Sequence, residues 1–359
     1  MCNFGLIGAG MMGQEHIRNI ALIEHARVAA VFEPDAEMRA AAGALAPEAQ
    51  LHDSISALLD QQDVNALLIA SPNHMHARQM EEIAAKRPLP LLVEKPLFTK
   101  PHDRDLIDRL SRYYEPPIWV AMEYRFMPPI AAFLREAQAA TGGIKMLTIR
   151  EHRFPFLPKV GDWNRFNRNT GGTLVEKCCH FFDLMRFALQ DEPVRVMASG
   201  GQDVNHLHEL YFGETPDIWD NAYVIVEFSK GTRAMLELCM FAEGSRYQEE
   251  LVAVGSEGKI EAFVPGPARF WPDNDAPPEP QLVISPRHTK TRETRAIPVD
   301  PALLTAGDHN GATFYQHQRF AQVVCSGAAV KVTLEDGARA VEMGMAAQRS
   351  AETGQAVSL

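Results

Sequence analysis

Three glycines in the pattern GxGxxG, Gly8-Ala9-Gly10-Met11-Met12-Gly13, stand directly after the apolar run 4–7 and open a helix-like segment. The placement matters more than the pattern. Gly8 permits a tight turn off a strand, Gly10 lets the backbone approach a pyrophosphate, and Gly13 allows close packing of helix on strand. Free N–H groups at the head of such a helix, at Met11 and Met12, face the phosphate charge. An acid, Glu33, ends the next β-rich run about 20 residues after the last glycine, where it accepts hydrogen bonds from both hydroxyls of an adenosine ribose. A 2'-phosphate there is repelled, so NAD is favoured over NADP. Asp35 reads as the N-cap of the following helix.

The surrounding rhythm agrees with that motif. Short uninterrupted apolar runs at 4–7, 28–32, 66–70, 91–93 and 118–122 read as strands buried on both faces. Helical patterns at 11–23, 35–45, 54–60, 74–86 and 103–113 fill the gaps, the tempo of a doubly wound parallel sheet with crossover helices, an α/β Rossmann domain. After Met127-Pro128-Pro129 the pattern changes to runs at 145–153, 222–228, 232–241, 250–254 and 259–263. Turn signals at Gly231 and at Gly255-Ser256-Glu257-Gly258 make these hairpins, so an α+β C-terminal domain with a large, mostly antiparallel sheet is expected, with one helix inserted near 174–189. The Pro-, Asp- and Ala-rich stretch 265–280 reads as a loop. The domain boundary is expected at 123/124: 1–123 binds dinucleotide, 124–359 binds substrate and mediates oligomerisation, and a closing helix at about 331–351 packs back on the first domain.

Composition narrows the partners. A formal net charge of -11 argues against a surface that tracks nucleic acid. Five cysteines without zinc-ribbon spacing read as reduced thiols of a cytoplasmic protein. No basic leader and no apolar stretch of membrane-spanning length are present, so no membrane partner is expected.

On a continuous helix after Gly171-Gly172, Glu176, His180 and Asp183 share one narrow face, while Cys178, Phe181, Phe182, Met185 and Leu189 take the opposite one. From periodicity alone His180 is either a core histidine bonded to Glu176 or a catalytic base. Adjacent Cys178 and Cys179 diverge by roughly 100° and cannot converge on one tetrahedral ion, so no metal is expected.

The block Ser71-Pro72-Asn73-His74-Met75-His76, followed by Glu94-Lys95-Pro96, resembles the Gfo/Idh/MocA family, which includes glucose-fructose oxidoreductase and inositol dehydrogenases. The likeness extends to Thr333-Leu334-Glu335-Asp336-Gly337 and Ser350-Ala351-Glu352-Thr353-Gly354 near the end of the chain. It implies that Ser71, Pro72 and Asn73 line the nicotinamide-ribose side, with His76 a further candidate for cofactor contact, and that Glu94 and Lys95 form the mouth of the fifth strand. Ligands of open α/β sheets do sit beyond the carboxyl ends of strands. The likeness also favours catalysis for His180. The family pattern has an aspartate, three residues, then the histidine; here Glu176 takes the aspartate's position and Lys177 replaces a commoner apolar residue.

The chemistry so implied is hydride transfer between a secondary alcohol carbon of a sugar, polyol or sugar derivative and NAD. His180 serves as general base, Lys95 holds the reacting oxygen, and Glu176 orients one of them. Arg125, Arg153, Trp163 and Asn164 are candidate walls for a hydroxylated ring, and the arginines also suit a sugar acid or phosphate. Two other readings stay open: a redox-neutral lyase or glycosidase working through a transient keto-sugar, and a non-catalytic NAD-sensing regulator. Alternation at Val224, Val226, Met235, Leu236 and Leu238 supplies a core face and an interface for the homodimer or homotetramer that the resemblance implies.

Overall fold

The structure is a computed structural model describing residues 1–270 and 278–359. The predicted loop 265–280 therefore lies partly outside the described residues. Strands β1 (Cys2–Ile7), β2 (Ala26–Phe32), β3 (Gln50–His52), β4 (Ala66–Ile69), β5 (Leu91–Val93) and β6 (Ile118–Val120) form a parallel sheet in the order β3-β2-β1-β4-β5-β6. β1 has β2 on one side and β4 on the other, so the chain winds outward from β1 in both directions and leaves a crevice beyond the carboxyl ends of β1 and β4. Every residue of β4, β5 and β6 is buried, which is why they read as plain apolar runs. β3 was not anticipated: it is a three-residue edge strand with two exposed positions. Asp35 accepts from the amides of Glu37 and Met38, the cap expected of it.

The second sheet comprises β7 (Ile144–His152), β8 (Pro193–Gly201), β9 (Asn221–Phe228), β10 (Arg233–Cys239), β11 (Glu249–Gly255), β12 (Gly258–Val264), β13 (Gln281–Pro286), β14 (Glu293–Ala296) and β15 (Val357–Ser358). Their order is β14-β13-β12-β11-β7-β10-β9-β8-β15. The β9–β10 turn uses Gly231 at φ 85, a left-handed conformation that glycine adopts without strain. One pairing departs from the hairpin pattern, because β10 runs parallel to β7. Alternation reports which face is buried and carries no information on strand direction. Val224, Val226, Leu236 and Leu238 are buried, whereas Tyr223 and Ile225 on the other face are exposed.

The predicted continuous helix around 174–189 is broken. Thr173–Glu176 and Cys179–Leu189 are separate helices, with Lys177 and Cys178 between them. The Glu176 carbonyl accepts from Lys95 Nζ at 3.2 Å, and the ladder restarts at the Cys178 carbonyl, which accepts from Phe181 and Phe182. His180 and Asp183 remain together on the second of these helices, but Asp183 is engaged elsewhere. It is wholly buried and holds Arg125, whose Nε lies 2.6 Å from Asp183 Oδ2 and whose Nη2 bonds Oδ1. Arg125 Nη1 also donates to the Lys331 carbonyl at 3.0 Å, and Nη2 lies 3.3 Å from Asp336. This removes Arg125 from the predicted substrate wall, since its guanidinium is consumed by buried partners.

Asp336 opens the closing helix Leu334–Thr353 in a capping box with Thr333. Gly337 of that helix faces Val120 of β6 and Leu97 in the loop after β5, and a Cβ at Gly344 would stand 2.6 Å from the Leu174 carbonyl. The Arg125 ion pair thus ties this helix to the segment carrying His180. Replacing Arg125 by Met should cost about 3–5 kcal/mol in urea unfolding because Asp183 is left buried without a counter-charge. Adding Asp183→Leu should recover most of the loss; parental stability of Arg125→Met alone would contradict this reading.

Candidate active site

A cleft of about 680 Å³ opens where the topology places it, lined by Gly8, Gly10, Glu33, Ser71 and Lys95 among others. The three glycines divide the work as their spacing predicts. Gly8 has φ +94, and a Cβ there would lie 2.6 Å from the Ser71 amide nitrogen. A Cβ at Gly13 would lie 2.3 Å from the Gly8 carbonyl oxygen. At Gly10 nothing lies within 4 Å, so the open space at the head of the helix Met11–Ile20 borders the cleft itself. Met11 and Met12 line the cleft there, while Ala9 is buried and its amide donates to Glu33 Oε2 at 2.6 Å. Glu33 Oε1 accepts from the Asp35 amide at 2.9 Å, which fixes the carboxylate at the rim. These features fit a dinucleotide: a helix terminus with room for a diphosphate, and an acid held beside the ribose end.

The loops after β4 and β5 supply the other wall. Pro72, Asn73 and Glu94 line the cleft with Ser71. Ser71 Oγ donates to Gln79 Oε1 at 2.5 Å. His76, a predicted cofactor contact, lies behind the wall instead. It is wholly buried, with Nδ1 2.8 Å from the Pro96 carbonyl and Nε2 3.0 Å from the Ser71 carbonyl, so it braces the two loops against each other. Glu94 is anchored by His16 Nε2 at 3.0 Å.

Lys95, Lys159, Glu176, Met11 and Met12 also line a second compartment of about 110 Å³, which continues the cleft inward. His180 borders this inner space, 2 % exposed, its ring stacked on Tyr124 at 4.1 Å between centroids and 7° between planes. Its Nδ1 is buried with no hydrogen-bond partner, as is Glu176 Oε2. Burial, then the charges of Lys95, Lys177, His309 and Arg153, hold His180 well below its ordinary range, so the resting imidazole is neutral. Burial raises Glu176 above the usual carboxylate range although Lys159, Lys95 and Arg153 oppose it. Lys95 Nζ donates to the Glu176 main-chain carbonyl beside the helix break, not to the carboxylate that was expected to orient it or His180.

Of the predicted walls, Arg153 lines the inner compartment and Trp163 the cleft. Asn164 lines neither: it is wholly buried, and its Nδ2 donates to the Leu157 carbonyl at 3.0 Å, bracing its own loop. Several lining residues escaped the sequence reading. Lys177 Nζ bonds the Tyr124 hydroxyl at 2.7 Å and pairs with Glu151 at 2.8 Å. His309 Nδ1 sits 2.6 Å from Glu15 Oε1, and the Thr313 hydroxyl joins them, 3.0 Å from Glu15 Oε1 and 2.7 Å from Glu123 Oε2. A signal for part of this was available, because Glu15 and His16 lie on the buried face of the first helix beside Ile17 and Ile20, where titratable groups require partners. Nothing local marks His309. All five cysteines are free, and among the described residues no group of three or more His, Cys, Asp or Glu is placed to hold a metal.

Comparison with known proteins agrees with this architecture. Residues 2–120 match the family model described as oxidoreductase family, NAD-binding Rossmann fold, and residues 138–359 match the oxidoreductase family, C-terminal alpha/beta domain. The chain belongs to the Gfo/Idh/MocA oxidoreductase family. It is similar to the inositol 2-dehydrogenase of Rhizobium meliloti (strain 1021), 25% identical over 359 residues, covering 99% of this chain and 98% of that one. Its fold is similar to that of a myo-inositol dehydrogenase from Corynebacterium glutamicum, with TM-score 0.76, 22% identity, and coverage of 100% and 99%. An oxidoreductase from Agrobacterium radiobacter, solved in complex with NAD+, L-tartaric acid and magnesium, shares the fold at TM-score 0.81 and 15% identity, with coverage of 99% and 98%.

The glycines give one test. Gly13→Ala should destabilise the protein by about 1–3 kcal/mol through overpacking against Gly8, whereas Gly10→Ala should leave stability within about 1 kcal/mol yet weaken NADH binding. Melting curves and NADH fluorescence titrations read the two effects, and equal effects of both substitutions would contradict the division of labour. The Glu15–His309 pair gives a second. Although burial opposes both charges, the partner holds Glu15 down to about 2 and His309 up to about 9. The histidine's contribution is complete below its ordinary 6.5 and is lost as pH rises through 9; the carboxylate's is complete above 4.5 and is lost as pH falls through 2. Stability should therefore decline between pH 6.5 and 9, and His309→Gln should flatten that decline by about 1 kcal/mol or more. A parallel decline in wild type and variant would count against the pair.

Proposed function

We propose that this chain is an NAD-dependent dehydrogenase that oxidises a secondary alcohol of a polyol, sugar or sugar derivative, with His180 as proton acceptor and Lys95 as the cation beside the reacting oxygen. The observation that carries the reading is the shared border: Lys95 lines both the dinucleotide cleft and the inner compartment on which His180 sits. The inositol dehydrogenases among the relatives support a polyol or sugar as substrate.

Oxidation of a carbinol removes a proton from oxygen and a hydride from carbon. NAD, when bound, supplies the acceptor for the hydride; the rest falls to the protein. The alcohol proton passes to the neutral imidazole of His180, whose stacking on Tyr124 fixes the ring plane. The Lys95 ammonium, positioned by the Glu176 carbonyl, stabilises alkoxide character as the O–H bond breaks. In the reverse direction the same two groups protonate and polarise a carbonyl. Glu33, fixed at the rim by two backbone amides, favours NAD over NADP by hydrogen bonding ribose hydroxyls and repelling a 2'-phosphate.

Lys95→Met and His180→Asn should each lower kcat/KM for oxidation by about 10²–10⁴-fold, read as formation of reduced nicotinamide across a panel of inositols, sugars and sugar acids. With His180 held below 6.5, the acidic limb of kcat/KM should have its midpoint below that value in wild type and vanish in His180→Asn. Full turnover by either variant on an established substrate would refute the assignment.

A further inference from the structure

The inner compartment holds more positive charge than its own acids answer. Lys177 is paired with Glu151, Arg269 with Asp308, and His309 with Glu15. Among the described residues, Lys95 and Lys159 have no carboxylate within 4.0 Å. Among those same residues Arg153 approaches only Glu151, at 3.7 Å, and that carboxylate already faces Lys177 at 2.8 Å. Among the described residues that line the compartment, Glu176 is the one remaining acid against three cations, and burial pushes it toward its neutral form. Like charges without counter-charges in a partly buried space are costly, and a bound anion relieves that cost.

The dinucleotide does not account for the surplus. Its diphosphate belongs at the head of the helix Met11–Ile20, where Gly10 leaves space, whereas Arg153 lines only the inner compartment beside His180. Arg153 is also held as a receptor would hold it. Its Nε donates to the Phe154 carbonyl at 3.1 Å, and its guanidinium carbon lies 4.3 Å from the centre of the Phe154 ring, which itself packs on Phe270 at 4.0 Å. Fixed at Nε and across its face, with Nη1 3.7 Å from the already paired Glu151, the group keeps a planar fork whose shape matches a carboxylate. Lys159 stands at the junction of cleft and compartment with Nζ 5.2 Å from the Trp163 ring centre.

We infer that the alcohol oxidised here also bears a carboxylate, as in an aldonic or uronic acid, and that Arg153 and Lys159 anchor it. This rests on the dehydrogenase reading and narrows it to acidic substrates. The test is calorimetric titration of the NADH-loaded protein with matched pairs that differ at the acidic carbon: D-gluconate against D-glucitol, and D-glucuronate against D-glucose, with D-glucose 6-phosphate as a separate arm. At least one acid should bind about tenfold or more tightly than its neutral partner, and the ratio should collapse toward one in Arg153→Gln and fall in Lys159→Met. Melting curves identify any variant that has lost its fold, and Lys159→Met, on a loop, then carries the comparison.

If neither acid binds better than its neutral partner, or if the phosphate ester binds best, the carboxylate assignment is overturned. Reduction of NAD by a neutral polyol alongside that result would leave the dehydrogenase reading standing and remove only the acid. Failure of the protein to bind NADH at all would remove the dehydrogenase reading, and this inference with it.

Discussion

Glu15 and His16 sit on the buried face of the helix that begins the dinucleotide cleft, and neither can remain there alone. Their partners come from distant parts of the chain. Glu15 takes His309 and Thr313, while His16 bridges Glu94 after β5 and His317 at 2.8 Å. Burial works against a charge on His16, yet Glu94 carries it above its ordinary range, and Glu94 in turn is held low. The seam so formed fastens residues 309–317 onto the first helix and delivers His309 to the edge of the inner compartment. It also fixes Glu94, and with it the adjacent Lys95. A polar cluster that looks incidental to the sheet is therefore what aligns the edge that carries Lys95.

Electrostatics in the compartment follow from that alignment. Lys95, Lys177, His309 and Arg153 surround an imidazole that is already desolvated, so His180 stays unprotonated in a site rich in positive charge. The same field favours oxygen anions, which suits an alcohol losing its proton. Glu151 and Glu249 lie deeper. Burial together with Glu151 brings Glu249 up to about 7, so the negative charge available to cancel that field is smaller than a count of acids indicates.

What was legible in the sequence had a local cause. The parallel strands announced themselves because both faces are buried, and the glycines because each spacing meets a separate steric demand, visible in the contacts at Gly8 and Gly13 and the open space at Gly10. Lys95 and His180 were recognised through resemblance, and the structure brings both to one compartment. The failures arose where a distant group decided the outcome. Glu176 and Asp183 share a face only on an unbroken helix, and the break accompanies a lysine 81 residues earlier taking the Glu176 carbonyl. Arg125 and Asn164 carry the polar chemistry of a substrate wall, but Asp183 and the Leu157 carbonyl claim it. Residue type cannot distinguish a group that binds a ligand from one that holds a loop.

A crystal structure of the protein with NAD bound tests the central claim most directly. The account requires the nicotinamide ring to lie at the border between cleft and inner compartment, with the Lys95 ammonium and the His180 imidazole both facing its reactive side. A nicotinamide seated elsewhere, with those two groups out of reach of any single substrate atom, would contradict it.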